Sequence, residues 1–176
     1  MGKAHAAAMS AVGSIFDTKL RPVLEAVAAS NLESAQKYKI AYGYNRAAKN
    51  WEDLVTDPKV EAVIIASPQA THLEIAKSAF SLGKPVFCEK PMGSSLEESK
   101  EMTALAVSSG VTNMVGFNYI RTPASQYAKT LIRNGEIGDV IWFRGEHTED
   151  FLADRKTPAN WRTVGAANGT MGDLAP

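Results

Sequence analysis

Apolar positions along the chain fall into short continuous runs that alternate with longer segments of helical periodicity. Residues 60–66 read VEAVIIA, a run rich in β-branched residues that is typical of a strand covered on both faces. In 70–82 the apolar residues recur at helical spacing, which predicts one buried helix face, and Gly83 and Pro85 are expected to end that helix. Further strands are predicted at 24–28, 86–88, 111–117 and 141–147.

Helix signals occupy the stretches between these runs. Ser95 and Glu98 have capping-box spacing and predict a helix that continues to about residue 109. Pro123 suits the first position of a helix that ends near Arg133. Other helices are predicted at 2–12 and 32–38. The alternation predicts an α/β fold of the Rossmann type, a parallel sheet with helices on both faces and right-handed crossovers.

Two domains are expected, because the strand at 111–117 is followed by a polar stretch that contains a proline. The predicted boundary separates 1–120 from 121–176, and the second part is expected to begin an α+β domain. A doubly wound sheet that opens on a helix lacks its central strand, and the turn-rich tail at 157–176 has no closing element. We therefore expect the chain to be a fragment.

Composition and charge give no reason to expect a nucleic-acid-binding or membrane protein. The 176 residues carry 19 basic and 19 acidic side chains, so nothing favours nucleic acid or a membrane surface as a partner. No apolar run approaches the roughly 18 residues that a membrane span needs. The single cysteine, Cys88, lies in an apolar run without a paired base, which predicts an inert core thiol and suits the reducing cytoplasm.

Polar residues follow three of the predicted strands at the point where each strand ends. Ligands of open parallel sheets bind at this carboxyl edge, so these residues are candidates for a site. They are Ser67, Pro68, Gln69 and His72 after one strand, Glu89 and Lys90 after the next, and Asn118 after a third. Taken singly, a solvated ion pair or a structural histidine is the more common explanation for such residues. Their recurrence at successive strand ends favours a binding site.

These motifs, in their order along the chain, resemble the Gfo/Idh/MocA family of NAD(P)-dependent oxidoreductases, named for glucose–fructose oxidoreductase and inositol dehydrogenase. The motifs are MGKAHA, SPQATH, GKPVFCEKP, GFNYIRTPA, NWR and GDLAP, and together they span nearly the whole chain. The resemblance implies hydride transfer between NAD(P) and a secondary alcohol or carbonyl of a sugar, inositol or related polyol. It also implies a cofactor domain at 1–120, a substrate domain from 121 onward and a homo-oligomer.

The resemblance further implies the catalytic residues. Lys90 of the EKP motif is expected beside the nicotinamide and the substrate hydroxyl, where it could orient the oxygen and move its proton. Pro91 would shape the turn, often through a cis bond, and Glu89 would anchor the lysine or contact the cofactor. Asp173 matches an acidic residue of the family's second domain, and the histidine expected four positions later would serve as general acid–base.

The same resemblance implies the cofactor contacts. Gly2 and His5 match the end of a glycine-rich turn that holds the pyrophosphate, whose earlier glycines would lie upstream. Ser67, Pro68, Gln69 and His72 would lie against the cofactor, although the family more often has Asn where Gln69 stands. Asn118, Trp161 and Arg162 match positions near the nicotinamide and substrate.

Cofactor preference is expected to depend on residues 28–31, which correspond to the place where an Asp or Glu usually holds the ribose of NAD. This stretch reads AASN and contains no acidic residue. Ser30 and Asn31 would not repel a 2′-phosphate, so NADP is favoured, although no arginine follows closely and use of both cofactors stays open.

Two alternatives to an active enzyme also stay open. One is a cofactor-binding regulator of the same fold, and the other is an inactive truncated remnant.

A metal site is not expected. Residues Glu146, His147, Glu149 and Asp150 offer suitable ligand atoms, but consecutive strand residues alternate faces and could not all converge.

Overall fold

The computed structural model describes residues 1–150, 153–159 and 163. The chain divides into two compact units, Met1–Gly116 and Phe117–Pro176, so the break lies at 116/117. The predicted division was at 120/121, in the same short stretch of chain. Within the described residues, no helix is both long and apolar enough to cross a membrane.

The first unit alternates helices and short strands. In chain order these are α1 (Gly2–Ile15), β1 (Ala26–Val27), α2 (Leu32–Tyr42), β2 (Arg46–Ala47), α3 (Trp51–Thr56), β3 (Val63–Ile65), a 3-10 turn (Gln69–Thr71), α4 (His72–Ser81), β4 (Val86–Cys88), α5 (Leu96–Ser109) and β5 (Asn113–Val115). The described part of the second unit contains a 3-10 turn (Asn118–Arg121) and α6 (Pro123–Arg133). The elements β2 and α3 were not predicted, because each is too short to show a clear period.

All described strand pairs are parallel. Strands β3, β4 and β5 form one sheet in that order, with Ile65 opposite Cys88 and Cys88 opposite Val115. Strands β1 and β2 form a separate parallel pair, and Ala26 of β1 packs against the main core. The parallel sheets with their helices confirm the predicted Rossmann-type α/β fold.

The core lies where α4 packs on the three-stranded sheet. Ile65 of β3 is 2% exposed, and Ala76 and Phe80 of α4 are buried against the same cluster. Val55 of α3 and Met102 of α5 close the cluster from the neighbouring helices. The apolar spacing that predicted α4 therefore marks the face that meets the sheet.

Side-chain caps define where several helices begin. Ser95 accepts a hydrogen bond from the Glu98 N–H at the start of α5, and the Glu98 carboxylate accepts one from the Ser94 N–H. Gly110 ends this helix with a φ of 64°, in the left-handed region that a residue with a side chain rarely adopts. The capping residues read from the sequence are thus confirmed for α5.

The strand predicted at 141–147 is wrong. No strand is assigned between residues 139 and 150, and Ile141 and Phe143 are 94% and 87% exposed. A strand is stable only when another strand accepts and donates its backbone hydrogen bonds, and no described segment pairs with this one. The apolar residues of 141–147 were therefore not sufficient to predict a strand.

Candidate active site

The carboxyl ends of β3, β4 and β5 meet at one edge of the sheet, because the three strands are parallel and in register. The hydrogen-bond ladder continues one residue past the strand ends. The Glu89 N–H donates to the Ile65 carbonyl at 2.9 Å, and the Gly116 N–H donates to the Cys88 carbonyl at 2.8 Å. The backbone entering the EKP turn is therefore fixed by the sheet.

The Glu89 carboxylate is buried and paired with a histidine from the first helix. His5 Nε2 lies 2.6 Å from Glu89 Oε1, although the two residues are 84 positions apart. The His5 ring also meets the edge of the Phe87 ring, with the centroids 5.0 Å apart. Glu89 is 7% exposed, so this pair ties α1 to the end of β4 in a largely dry environment. A buried carboxylate needs such a partner.

Gly116 contributes to the same cluster, and sequence reasoning missed it. A Cβ at this position would lie 3.1 Å from the Phe87 ring and 3.2 Å from the Glu89 carboxylate. The absence of a side chain therefore lets the end of β5 approach Glu89 closely. The only signal in the sequence was a glycine near the end of the strand predicted at 111–117, within the GFNY motif.

Lys90 follows Glu89 and is half-buried. The Lys90–Pro91 peptide bond is cis, which matches what the resemblance implied for this turn. The lysine stands at the carboxyl edge of a parallel sheet, directly after a residue that is held by the ladder and by His5. This is a well-defined position for a cationic side chain.

His72 is 1% exposed, and both ring nitrogens contact backbone carbonyls. Nδ1 lies 3.0 Å from the Pro91 oxygen and Nε2 lies 2.9 Å from the Ser67 oxygen. The ring thus sits between the turns that follow β3 and β4. Its predicted contact with the cofactor stays a prediction.

The turn after β3 is cross-linked by its own side chains. Ser67 Oγ lies 2.7 Å from Thr71 Oγ1, and that hydroxyl donates to the Pro68 carbonyl at 2.8 Å. Ser67 and Pro68 are exposed and Gln69 is half-buried. These residues lie at the edge where the resemblance places a cofactor.

The other predicted cofactor residues occupy different places. Gly2 begins α1, and an added Cβ there would meet nothing within 4 Å. Ser30 is exposed after β1, and the Asn31 side chain accepts a hydrogen bond from the Ser34 N–H, so it caps α2. Asn118 lies in the second unit and stays a prediction.

Three predicted residues, Trp161, Arg162 and Asp173, lie outside the described part of the chain. For the residues that the structure does describe, no group of three or more His, Cys, Asp or Glu side chains could hold a metal ion.

Cys88 is a buried thiol at the end of β4, as predicted. Burial, with a smaller contribution from the neighbouring Glu89 carboxylate, raises its pKa to about 12. A thiol with such a pKa is almost entirely protonated at neutral pH and is a poor nucleophile.

Residues 1–117 match the sequence model of an oxidoreductase family with an NAD-binding Rossmann fold, Gfo/Idh/MocA. The chain belongs to this family. Levoglucosan dehydrogenase of Pseudarthrobacter phenanthrenivorans is 38% identical over 178 residues, covering 99% of this chain and 46% of that protein. The D-xylose 1-dehydrogenase [NADP(+)] of Haloarcula marismortui is 31% identical over 121 residues, covering 69% of this chain and 34% of that protein.

A solved structure of levoglucosan dehydrogenase in complex with NADH and levoglucosan has the same architecture. It superimposes with a TM-score of 0.94 at 37% identity, covering 99% of this chain and 48% of that one. The Gfo/Idh/MocA chain described here therefore spans about half the length of levoglucosan dehydrogenase and about a third of the Haloarcula marismortui enzyme.

The described residues of this family member fit an NAD-type cofactor. Helix α1 has 14 residues, and its first position is preceded by Met1, which supplies no capping side chain. The N–H groups at such a helix start suit a phosphate. The sheet edge beside it, with Ser67 and Lys90, is where ligands of open parallel sheets bind.

Proposed function

We propose that the gene product carrying this chain transfers hydride between NAD(P) and a secondary alcohol or carbonyl of a sugar, inositol or related polyol. The observation that carries the proposal is Lys90 at the carboxyl edge of the parallel sheet, directly after the buried Glu89–His5 pair. Membership of an NAD-binding oxidoreductase family supports the same reaction class. The substrate names of its relatives support a polyol or sugar.

Lys90 is proposed as the residue that orients the reacting oxygen of the substrate. A bound nicotinamide would supply the hydride acceptor or donor. The ammonium of Lys90 can donate a hydrogen bond to the developing alkoxide as the carbon is oxidised, while the hydroxyl proton would pass to the proposed histidine of the second domain. Asp173 is proposed to assist on the substrate side, together with a histidine of the second domain.

Glu89 is proposed to support Lys90 indirectly. Its carboxylate is occupied by His5 in the folded chain, which favours an anchoring role over direct contact with a ligand. The remaining proposed cofactor contacts are those at the sheet edge and helix starts, namely Gly2, His5, Ser30, Asn31, Ser67, Pro68, Gln69 and His72, with Asn118, Trp161 and Arg162 from the second unit.

NADP is proposed as the preferred cofactor. The stretch at 28–31 has no carboxylate that would repel a 2′-phosphate, and the name of the Haloarcula marismortui relative includes NADP. The levoglucosan dehydrogenase complex contains NADH, which favours the opposite choice. The ratio of kcat/KM for the two dinucleotides measures the preference, and a ratio in favour of NAD would reverse the proposal.

The test of the reaction class is a dehydrogenase assay on the purified gene product, followed through the absorbance of the reduced nicotinamide. Substrates would include levoglucosan, D-xylose and inositols, each offered with NAD and NADP. We expect Lys90→Met to lower kcat by about 10²- to 10⁴-fold. The exposed Lys100→Met on α5 serves as the matched control and should retain activity.

Binding of a reduced nicotinamide without turnover of any polyol would favour the regulator instead. Absence of both dinucleotide binding and substrate turnover would contradict the proposed function. A cytoplasmic location and a homo-oligomeric assembly are also proposed, supported by the single buried cysteine and by the family respectively.

A further inference from the structure

We propose that the second unit carries a binding site for a phosphorylated sugar or polyol, at a cavity between the 3-10 turn Asn118–Arg121 and helix α6. Arg121 and Lys129 bind the phosphate group, and the Tyr119 ring packs against the sugar. The proposal goes beyond the hydride transfer proposed above and does not depend on it, because binding can be measured without turnover.

The cavity is lined by residues of the second unit alone. Its volume of about 490 Å³ lies in the range of sites that bind small molecules. Half of the lining comes from the 3-10 turn and half from the first two turns of α6: Tyr119, Ile120, Arg121, Ser125, Gln126 and Lys129. The two other helix residues precede Lys129 by three and four positions, so all three lie on one face of α6.

Hydrogen bonds fix the two walls of the cavity relative to each other. The Gln126 side-chain amide donates to the Ile120 carbonyl. The Thr122 hydroxyl accepts from the Ser125 N–H at 3.3 Å and donates to the Tyr119 carbonyl at 3.1 Å. The cavity is therefore formed before a ligand arrives, which reduces the entropy lost on binding.

The side chains that line the cavity carry a net positive charge. Arg121 and Lys129 are both exposed, and none of the six lining residues is acidic. Among the residues that the structure describes, none forms an ion pair or hydrogen bond with either of these two side chains. Arg144 of the same unit, by contrast, lies 2.6 Å from the Glu146 carboxylate. Two cations without an acidic partner at one cavity favour an anionic ligand.

A phosphate monoester matches this pair of cations. It carries close to two negative charges at neutral pH and has three acceptor oxygens. The Arg121 guanidinium can donate to two of these oxygens at once, and the Lys129 ammonium supplies the second positive charge. A carboxylate carries a single charge and would leave one of the two cations unmatched.

Tyr119 and Ile120 give the cavity an apolar part. They are 59% and 58% exposed, so a ligand that covers them removes apolar surface from water. The Tyr119 ring makes an edge contact with the His147 ring, with the centroids 5.6 Å apart, and His147 Nε2 lies 2.9 Å from Glu149 Oε1. The C–H face of a sugar can pack on such an aromatic ring. Inorganic phosphate would leave this part uncovered, so a phosphorylated sugar is the better fit.

The first experiment is isothermal titration calorimetry of the purified gene product with glucose 6-phosphate, glucose and inorganic phosphate. We expect glucose 6-phosphate to bind and glucose to show no binding under the same conditions. Inorganic phosphate should bind about tenfold more weakly than glucose 6-phosphate, because it covers neither Tyr119 nor Ile120. Failure of glucose 6-phosphate to bind, or an equal affinity for glucose, would overturn the site. An equal affinity for inorganic phosphate would overturn its assignment to a phosphorylated sugar.

The second experiment locates the bound ligand. Arg121→Gln and Lys129→Gln each remove one charge at an exposed position, and each should weaken the binding of glucose 6-phosphate about tenfold. Arg133→Gln removes a charge from the same helix but outside the cavity, and should leave the affinity unchanged. Tyr119→Ala should weaken the binding of glucose 6-phosphate without weakening that of inorganic phosphate. An unchanged affinity in both the Arg121 and the Lys129 variant would place the ligand elsewhere and overturn the site.

Failure of this site can be distinguished from failure of the proposed function. Turnover of an unphosphorylated polyol, without binding of glucose 6-phosphate, would overturn the site and leave the proposed function standing. Binding of glucose 6-phosphate that depends on Arg121 and Lys129, in a gene product that binds no dinucleotide and turns over no substrate, would support the site and contradict the proposed function.

Discussion

Residues 86–88 and 141–143 are both three-residue apolar runs, VFC and IWF, but they meet opposite environments. Val86 and Cys88 are 4% and 3% exposed, whereas Ile141, Trp142 and Phe143 are 81–94% exposed. The first run has β3 and β5 hydrogen-bonded to its two edges and α4 packed on it. No described strand pairs with the second. An apolar run thus becomes a buried strand only where neighbours satisfy its backbone.

The contrast extends to contacts between side chains. His5–Glu89 and His147–Glu149 are both histidine–carboxylate contacts, at 2.6 Å and 2.9 Å. The side chains of the first pair are 15% and 9% exposed, and those of the second are 44% and 37% exposed. Because water screens the second pair, only the first is expected to contribute strongly to structure.

The largest expected difference comes from truncating one isoleucine in each region. Ile65→Ala removes a side chain that is 2% exposed and leaves a cavity, so we expect a loss of about 2–5 kcal/mol in the free energy of unfolding. Ile141→Ala changes a side chain that is 94% exposed and should alter that free energy by less than about 0.5 kcal/mol. Urea denaturation followed by circular dichroism measures both, and equal losses would contradict the comparison.

A smaller difference is expected between the two histidine–carboxylate contacts. Glu89→Gln retains the shape of the side chain but removes its charge, and should cost about 1.5–3 kcal/mol because the hydrogen bond to His5 is buried. Glu149→Gln should cost about 0–1 kcal/mol. The same denaturation experiment compares them, and a cost at Glu89 no larger than that at Glu149 would show that burial adds nothing to the pair.

Gly116→Ala tests how tightly this part of the structure is packed. The new methyl group would press on Phe87 and on a carboxylate already held by His5, so we expect a loss of about 1–3 kcal/mol. Gly2→Ala adds the same group where nothing lies within 4 Å, and alanine favours a helix. In thermal denaturation, the melting temperatures of the two variants should therefore shift in opposite directions from the wild type, or differ from each other by several degrees.

The smallest expected effect is chemical. The Cys88 thiol is buried and its pKa is raised to about 12, so at pH 8 it is almost entirely protonated. Iodoacetamide reacts with the thiolate and should therefore not label Cys88 in the folded chain. A cysteine introduced by Phe143→Cys, at a position 87% exposed, should react within minutes. Mass spectrometry of the two sites counts the adducts, and rapid labelling of Cys88 before unfolding would contradict its burial.

The sequence by itself determined the features that depend on neighbouring residues. Period, caps and terminating glycines located α4, α5 and α6, and the alternation of strands with helices determined the fold class. The positions of Ser67 and Lys90 after strands also followed from local pattern, because a strand end is visible in a few residues. The family motif then attached a chemical role to Lys90.

Tertiary structure alone decided which of these residues meet. The partner of Glu89 is His5, 84 residues away, and the partners of His72 are two backbone carbonyls that no side-chain pattern reveals. The close approach of Gly116 to Glu89 also depends on distant segments, as does the fact that no described strand pairs with 141–143. Burial and hydrogen bonding across the sheet depend on segments that are far apart in the sequence. The local pattern of apolar and polar residues therefore cannot predict which residues form these contacts.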